Sequence, residues 1–230
     1  CLGASHSASA AVAADASPSV PTSASDPTGR SILRFPRDRS LGSLYLEDTT
    51  SGQLTRSFGE FVNNLGCEYL SQARGDVVVP ADKLLRLQVN EPALRDLSPL
   101  DALQPDELAV LNLAFGGADD RCLEHVAHLT GLRVLLLNQT RVTERGMRLV
   151  GRLKSLEYLI VPSHLTDGGL GYVAELPALR ELDLTQAWVT DIGLRHLARL
   201  TSLESLWLSS EQITDAGIAH LAQVPKLQRL

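Results

Sequence analysis

Cys122, His125 and His128 stand in a C-x-x-H-x-x-H run, residue types that ligate zinc, so metal binding is the first chemistry the chain raises. On a helix turning about 100° per residue, Cys122 and His128 lie about 120° apart around the axis, so only neighbouring pairs could share an ion. His125, His196 and His220 recur at one position of a repeat described below, with Tyr172 between them. Equivalent sites on packed helices are about 8 to 10 Å apart, whereas zinc–nitrogen bonds are about 2.0 to 2.1 Å. These imidazoles are therefore read as solvated surface groups. Asp119 and Asp120 form a carboxylate pair to which the sequence assigns no partner and no pocket. A nucleophile elbow, a phosphate loop, a dinucleotide fingerprint and an H-E-x-x-H pair are all missing. The expectation is a chain with no catalytic residue, no bound metal and no cofactor.

Composition narrows the partners. The 230 residues are 44% hydrophobic but only 4% aromatic, which suits a thin repetitive stack better than a compact globule. A net charge of −6 argues against nucleic acid, whose binding draws its affinity from Lys and Arg neutralising phosphates. No run of about 18 apolar residues is present to cross a bilayer. Residues 1–29 are mostly Ala, Ser and Pro, too polar to offset the entropy of ordering, and read as a disordered tether. Cys1 at the head of that tether resembles the start of a mature bacterial lipoprotein, which implies a lipid on Cys1, the only contact with a membrane, and an extracytoplasmic location in the cell envelope. The tail of an ordinary cleaved signal peptide is the other reading of the same stretch, and it too places the protein outside the cytoplasm. Cys67 and Cys122 are read as buried small hydrophobes, with one disulfide between them left open.

Positioning is set by the repeat. Leucines recur at Leu84, Leu108, Leu132, Leu156, Leu179, Leu203 and Leu227, at intervals of 24, 24, 24, 23, 24 and 24 residues. Three residues after each comes another leucine (Leu87 to Leu230), and five after each a leucine or valine (Val89 to Leu208). Alternation at these positions marks a strand, and the apolar residues near the end of each unit follow helical spacing, so each unit is a strand, a turn and a helix. Thr143, Thr166, Thr190 and Thr214 stand where a helix takes its N-cap. Gly146, Gly169, Gly193 and Gly217 follow three residues later, where neighbouring backbones are expected to approach closely. After Val89 the first unit drifts through NEPALRDLSPL, which reads as a loop. Residues 30–82 do not repeat and read as an N-terminal α+β cap, with strands at Ser31–Phe35, Leu41–Leu46 and Val77–Val79 and a helix over Leu54–Ala73. The repeats occupy residues 83–230, about six units and the start of a seventh.

The L-x-x-L-x-L frame from Leu84 to Leu230 resembles the leucine-rich repeat family. Its V-T-D-x-G-L segments look most like the repeats of bacterial surface proteins and of the cysteine-containing subclass in F-box adaptors. The resemblance implies an α/β solenoid curved into a horseshoe, with a parallel sheet on the concave side and short helices on the convex side. One departure stands out. Where the family places Asn or Cys at position 9, this chain carries Pro92, Gly116, Thr140, Ala187 and Glu211, with His164 near the same point of the 23-residue unit, so the family's asparagine ladder is missing.

Proteins of this family bind through outward residues of the concave strands. Here those positions carry Val110, Asn112, Val134, Leu136, Tyr158, Ile160, Glu181, Asp183 and Trp207. Val110, Val134, Leu136, Tyr158 and Ile160 are expected to form an exposed apolar patch rimmed by Arg86, Asn112, Glu181 and Asp183, with Trp207 as the aromatic anchor. Trp188 falls in a turn and reads as packing. Asn138-Gln139-Thr140 matches a glycosylation acceptor. The resulting expectation is a monomeric, non-enzymatic protein-recognition module. Its alternatives are an F-box-type substrate adaptor and the sensor part of a longer enzyme.

Overall fold

The computed structural model describes residues 24–25, 31–47, 49–50, 53–54, 67–209 and 211–230. The second leucine of each of the first six units lies on a strand: β5 (Leu84–Val89), β6 (Val110–Asn112), β7 (Val134–Leu136), β8 (Tyr158–Ile160), β9 (Glu181–Leu184) and β10 (Ser205–Leu208). All six run parallel in one register, so that Leu87, Leu111, Leu135, Leu159, Leu182 and Leu206 fall opposite one another. Those leucines are buried with Leu113, Leu137, Val161 and Leu184 in one continuous core under the helices. Strands alternate their side chains between two faces, so one face of the sheet rests on this core and the other points away from the helices.

The N-terminal region closes the first edge with strands. β2 (Gly42–Glu47) pairs antiparallel with β5, and β3 (Glu68–Gln72) pairs antiparallel with β2 on its other side. β1 (Ser31–Arg34) and β4 (Asp76–Val79) form a second antiparallel pair, with Ala24–Ser25 on the free side of β1. Two further short strands, Thr49–Thr50 and Gln53–Leu54, pair with each other. Two expectations are corrected here. The helix read over Leu54–Ala73 is a strand at Glu68–Gln72, because the edge of β2 offers that segment a hydrogen-bonded ladder, and Tyr69 meets the Tyr45 ring edge-on at 5.7 Å. Residues 55–66 of that reading lie outside the described residues. Within the expected tether, Ala24–Ser25 is a strand, and the remainder, Cys1 included, also lies outside them.

Short helices follow the strands: α1 (Asp120–Glu124), α2 (Glu144–Val150), α3 (Asp167–Val173), α4 (Asp191–Leu194) and α5 (Asp215–Leu221). After β5 the chain makes two 3-10 helices, Glu91–Arg95 and Ser98–Ala102, rather than the expected loop, each opened by a proline whose fixed φ suits a first helical turn. Thr143, Thr190 and Thr214 cap their helices through the hydroxyl, whereas Thr166 makes no such bond.

The T-D-x-G segment also joins successive repeats. Asp191 accepts from the Thr214 amide at 2.8 Å and from its hydroxyl at 2.6 Å, and Asp167 holds Thr190 in the same way at 2.8 and 2.7 Å. Asp120 does so for Thr143 and also accepts from the Gly146 amide at 3.1 Å. The glycine follows from this geometry, since a Cβ on Gly193 would lie 2.1 Å from a carboxylate oxygen of Asp167, and one on Gly217 2.1 Å from that of Asp191, each in the repeat before. The Thr214 bonds hold the Asp191 carboxyl below the usual carboxylate range. At α3 the pattern slips because the preceding residue is Glu144, whose longer carboxylate takes the Thr166 hydroxyl instead.

No disulfide joins Cys67 and Cys122. Cys122 is buried with its sulfur 3.4 Å from the Leu94 carbonyl oxygen, and burial pushes its thiol up. His125 pairs with Asp101 at 2.9 Å, and His128 lies 3.1 Å from the Leu103 carbonyl, so the two imidazoles serve separate local contacts.

Candidate functional site

The outward strand positions are not an exposed patch. Val110 and Val134 are 0% exposed, and Leu136, Ile160 and Tyr158 are also buried, the last at 8%. With Ala109 they form a second apolar layer, separate from the main core, against which Leu84 and Ala114 pack. Neighbouring strands sit about 4.8 Å apart, so valine, leucine, tyrosine and isoleucine at equivalent positions stack on one another across the sheet.

The polar residues expected to rim that patch are engaged within the fold. Arg86 is fully buried and pairs at 3.5 Å with the fully buried Glu47 of β2. The Asn112 side chain accepts from the Ala114 amide at 2.9 Å, and Asp183 accepts from the Thr185 amide at 2.7 Å, so both residues shape the turn that ends their strand. Glu181 pairs with Arg229 at 3.2 Å; burial raises its carboxyl, with Arg229 opposing. The Tyr158 hydroxyl is pushed up to about 12, first by burial and then by the nearby Glu181 carboxylate. Along the neighbouring outer row, Arg133 meets Glu157 at 2.6 Å and Arg180 meets Glu204 at 3.0 Å. Trp207 is half-buried.

Exposure lies instead on the loops that carry each strand into its helix. Phe115 is 64% and Trp188 62% exposed, and the Trp188 ring meets the His164 ring tilted by 56°, with centroids 4.3 Å apart. Trp188, read as packing, is therefore a surface residue. Phe115, Gln139 and His164 occupy the left-handed region at φ of 62°, 54° and 74°, and all three are exposed. Without an asparagine ladder, these loops are held by bonds from one repeat to the next. The Phe115 amide donates to the Asn138 carbonyl at 3.2 Å, the Gln139 amide to the Ser163 hydroxyl at 3.1 Å, and the His164 amide to the Gln186 carbonyl at 3.0 Å. The Thr140 hydroxyl donates to the Leu137 carbonyl at 2.6 Å.

Between these loops lies a cleft of about 190 Å³ bounded by Phe115, Asn138, Gln139, Ile160, Asp183 and Gln186. It contains two of the concave-strand residues singled out from the sequence, Ile160 and Asp183. Phe115 was not among them, because the frame of recurring leucines draws attention to strand positions and carries no signal for a left-handed residue in a loop. Asn138, the acceptor of the glycosylation pattern, lines the cleft with its side-chain oxygen buried and lacking a hydrogen-bond partner. Among the described residues, no group of three or more His, Cys, Asp or Glu is placed to hold a metal, and no helix is long and apolar enough to cross a membrane.

No protein-family model and no curated protein matches the chain. Solved structures do. An internalin (inlF) from Listeria monocytogenes is 30% identical over 59% of this chain and 36% of its own length, with a TM-score of 0.48. Internalin C2 of the same species is 26% identical over 59% of this chain and 55% of its own, with a TM-score of 0.49. A TLR13–ssRNA13 complex is 18% identical over 57% of this chain and 20% of that one, with a TM-score of 0.40. The chain thus spans little more than a third of the first internalin and about half of the second.

Proposed function

We propose that the chain is a non-enzymatic protein-recognition module that binds its partner along the loop rim between Phe115 and Trp188. One observation carries this reading. Phe115 is exposed and sits in the left-handed region, so neither burial nor backbone preference favours a phenylalanine there. Strain of this kind costs on the order of 1 to 3 kcal/mol and tends to mark binding sites. Trp188 on the same rim adds a second aromatic in a chain with few of them, and exposed aromatics are enriched at the anchors of protein interfaces.

The same proposal includes the layout read from the sequence, with Ala24–Ser25 moved from tether to cap: a tether ahead of that strand, then the cap, then repeats over 83–230, curved into a horseshoe because strands stack more closely than helices. It also includes an extracytoplasmic location with a lipid on Cys1. A Phe115→Ala/Trp188→Ala variant with unchanged melting temperature should lose crosslinking to the envelope partner that the parent protein holds. Retention of that partner would overturn the rim reading. Mass spectrometry of protein isolated from the envelope decides the anchor, since an unmodified Cys1 would rule the lipid out.

A further inference from the structure

Asp183 is 7% exposed, and one of its carboxylate oxygens accepts from the Thr185 amide. Among the described residues it forms no ion pair, and no Lys, Arg or His lines the cleft it borders. A carboxylate with no cation beside it is a ready acceptor for a charge-assisted hydrogen bond. On the same cleft the Asn138 side-chain oxygen is buried without a donor. Ile160 and Val161 supply an apolar wall, and the exposed Phe115 ring stands at the mouth. An aliphatic stem against the wall, a cationic head at the carboxylate and an aromatic face beside it form the environment that long basic side chains fill. A volume of about 190 Å³ admits one extended side chain and not a folded segment.

We infer that this cleft receives a single lysine or arginine side chain presented by a protein partner. The inference rests on the rim reading for the protein nature of the occupant, and on the cleft alone for its charge. A neutral side chain would leave Asp183 as it is, and an acidic one would be repelled by it.

Small probes test the cleft without the partner. Amide NMR spectra of the folded chain are followed while Nα-acetyl-arginine methylamide or its lysine analogue is added, with the norleucine and glutamate analogues alongside. The basic probes should shift the Phe115, Gln139 and Thr185 amides saturably. Asp183→Asn, which keeps an oxygen to accept from the Thr185 amide, should weaken them about tenfold, the size of one charge-assisted hydrogen bond. Norleucine binding as well as arginine, an unchanged affinity in Asp183→Asn, or no saturable shift with any probe would each overturn the inference. If the basic probes bind but the Phe115→Ala/Trp188→Ala variant still holds its partner, the rim reading fails and the cleft stands. If no probe binds and that variant has lost its partner, the reverse holds.

Discussion

The outer face of the sheet and the loop rim are both built from residues that the repeat leaves variable, yet one is closed and the other open. On the strands, Val110, Val134, Leu136, Tyr158 and Ile160 stand at equivalent places in adjacent units and are buried as a layer. On the loops, Phe115, Gln139 and His164 also stand at recurring places, but their backbones turn left-handed and their side chains remain exposed. Strands in register bring equivalent side chains within contact distance of one another, and on this face those of the apolar layer are also shut off from water, while the left-handed loop residues keep theirs in it. Variable positions therefore identify where a repeat protein can differ from its neighbours, and burial decides which of those differences a partner can touch.

The comparison breaks first at Arg86. If the outer face is closed at its first repeat strand, Arg86→Met should cost about 3 to 5 kcal/mol in urea unfolding by removing one partner of a buried ion pair. Glu47→Leu added to it should restore most of that loss. A cost below about 1 kcal/mol for the single substitution would show the pair to be solvated.

A smaller contrast sets one residue of each region side by side. Leu136→Ala removes a buried side chain and should cost about 2 to 5 kcal/mol. Phe115→Gly relieves a left-handed backbone and should leave stability within about 1 kcal/mol of the parent, on either side of zero. Equal effects at the two sites would erase the distinction between face and rim.

The mildest test perturbs nothing. Tyr158 should resist ionisation until about pH 12, read as a late step in the 295 nm absorbance of the folded protein. Because its value is raised above the ordinary 10, the associated stabilisation is complete below about pH 10 and is lost as pH rises through 12. A full tyrosine titration near pH 10 in the folded state would place Tyr158 in water.

Much of the fold was legible in order along the chain. The leucine intervals locate every repeat strand, the threonines locate the helix starts, and Asp and Gly in T-D-x-G proved to be the two halves of one contact between neighbouring repeats. The first unit was misjudged because NEPALRDLSPL lacks helical spacing, while its two prolines each open a 3-10 turn. Glu68–Gln72 was misjudged for the opposite reason: its apolar spacing is helical, but a free strand edge beside it offered a full ladder. The candidate site was legible only in part. Ile160 and Asp183 do border the cleft, while Phe115 and the exposure of Trp188 were not visible in the pattern.

The amino-acid sequence by itself determined the repeat, its period and the side of each strand that meets the helices, because these depend on local periodicity and on leucines recurring at fixed spacing. Tertiary structure alone decided that the apolar layer on the other side of the sheet is closed, that Arg86 is paired in the interior, and that residues of four repeats line one cleft. Those outcomes depend on which residues of different units meet in space and on whether water reaches them, quantities that no single stretch of chain contains.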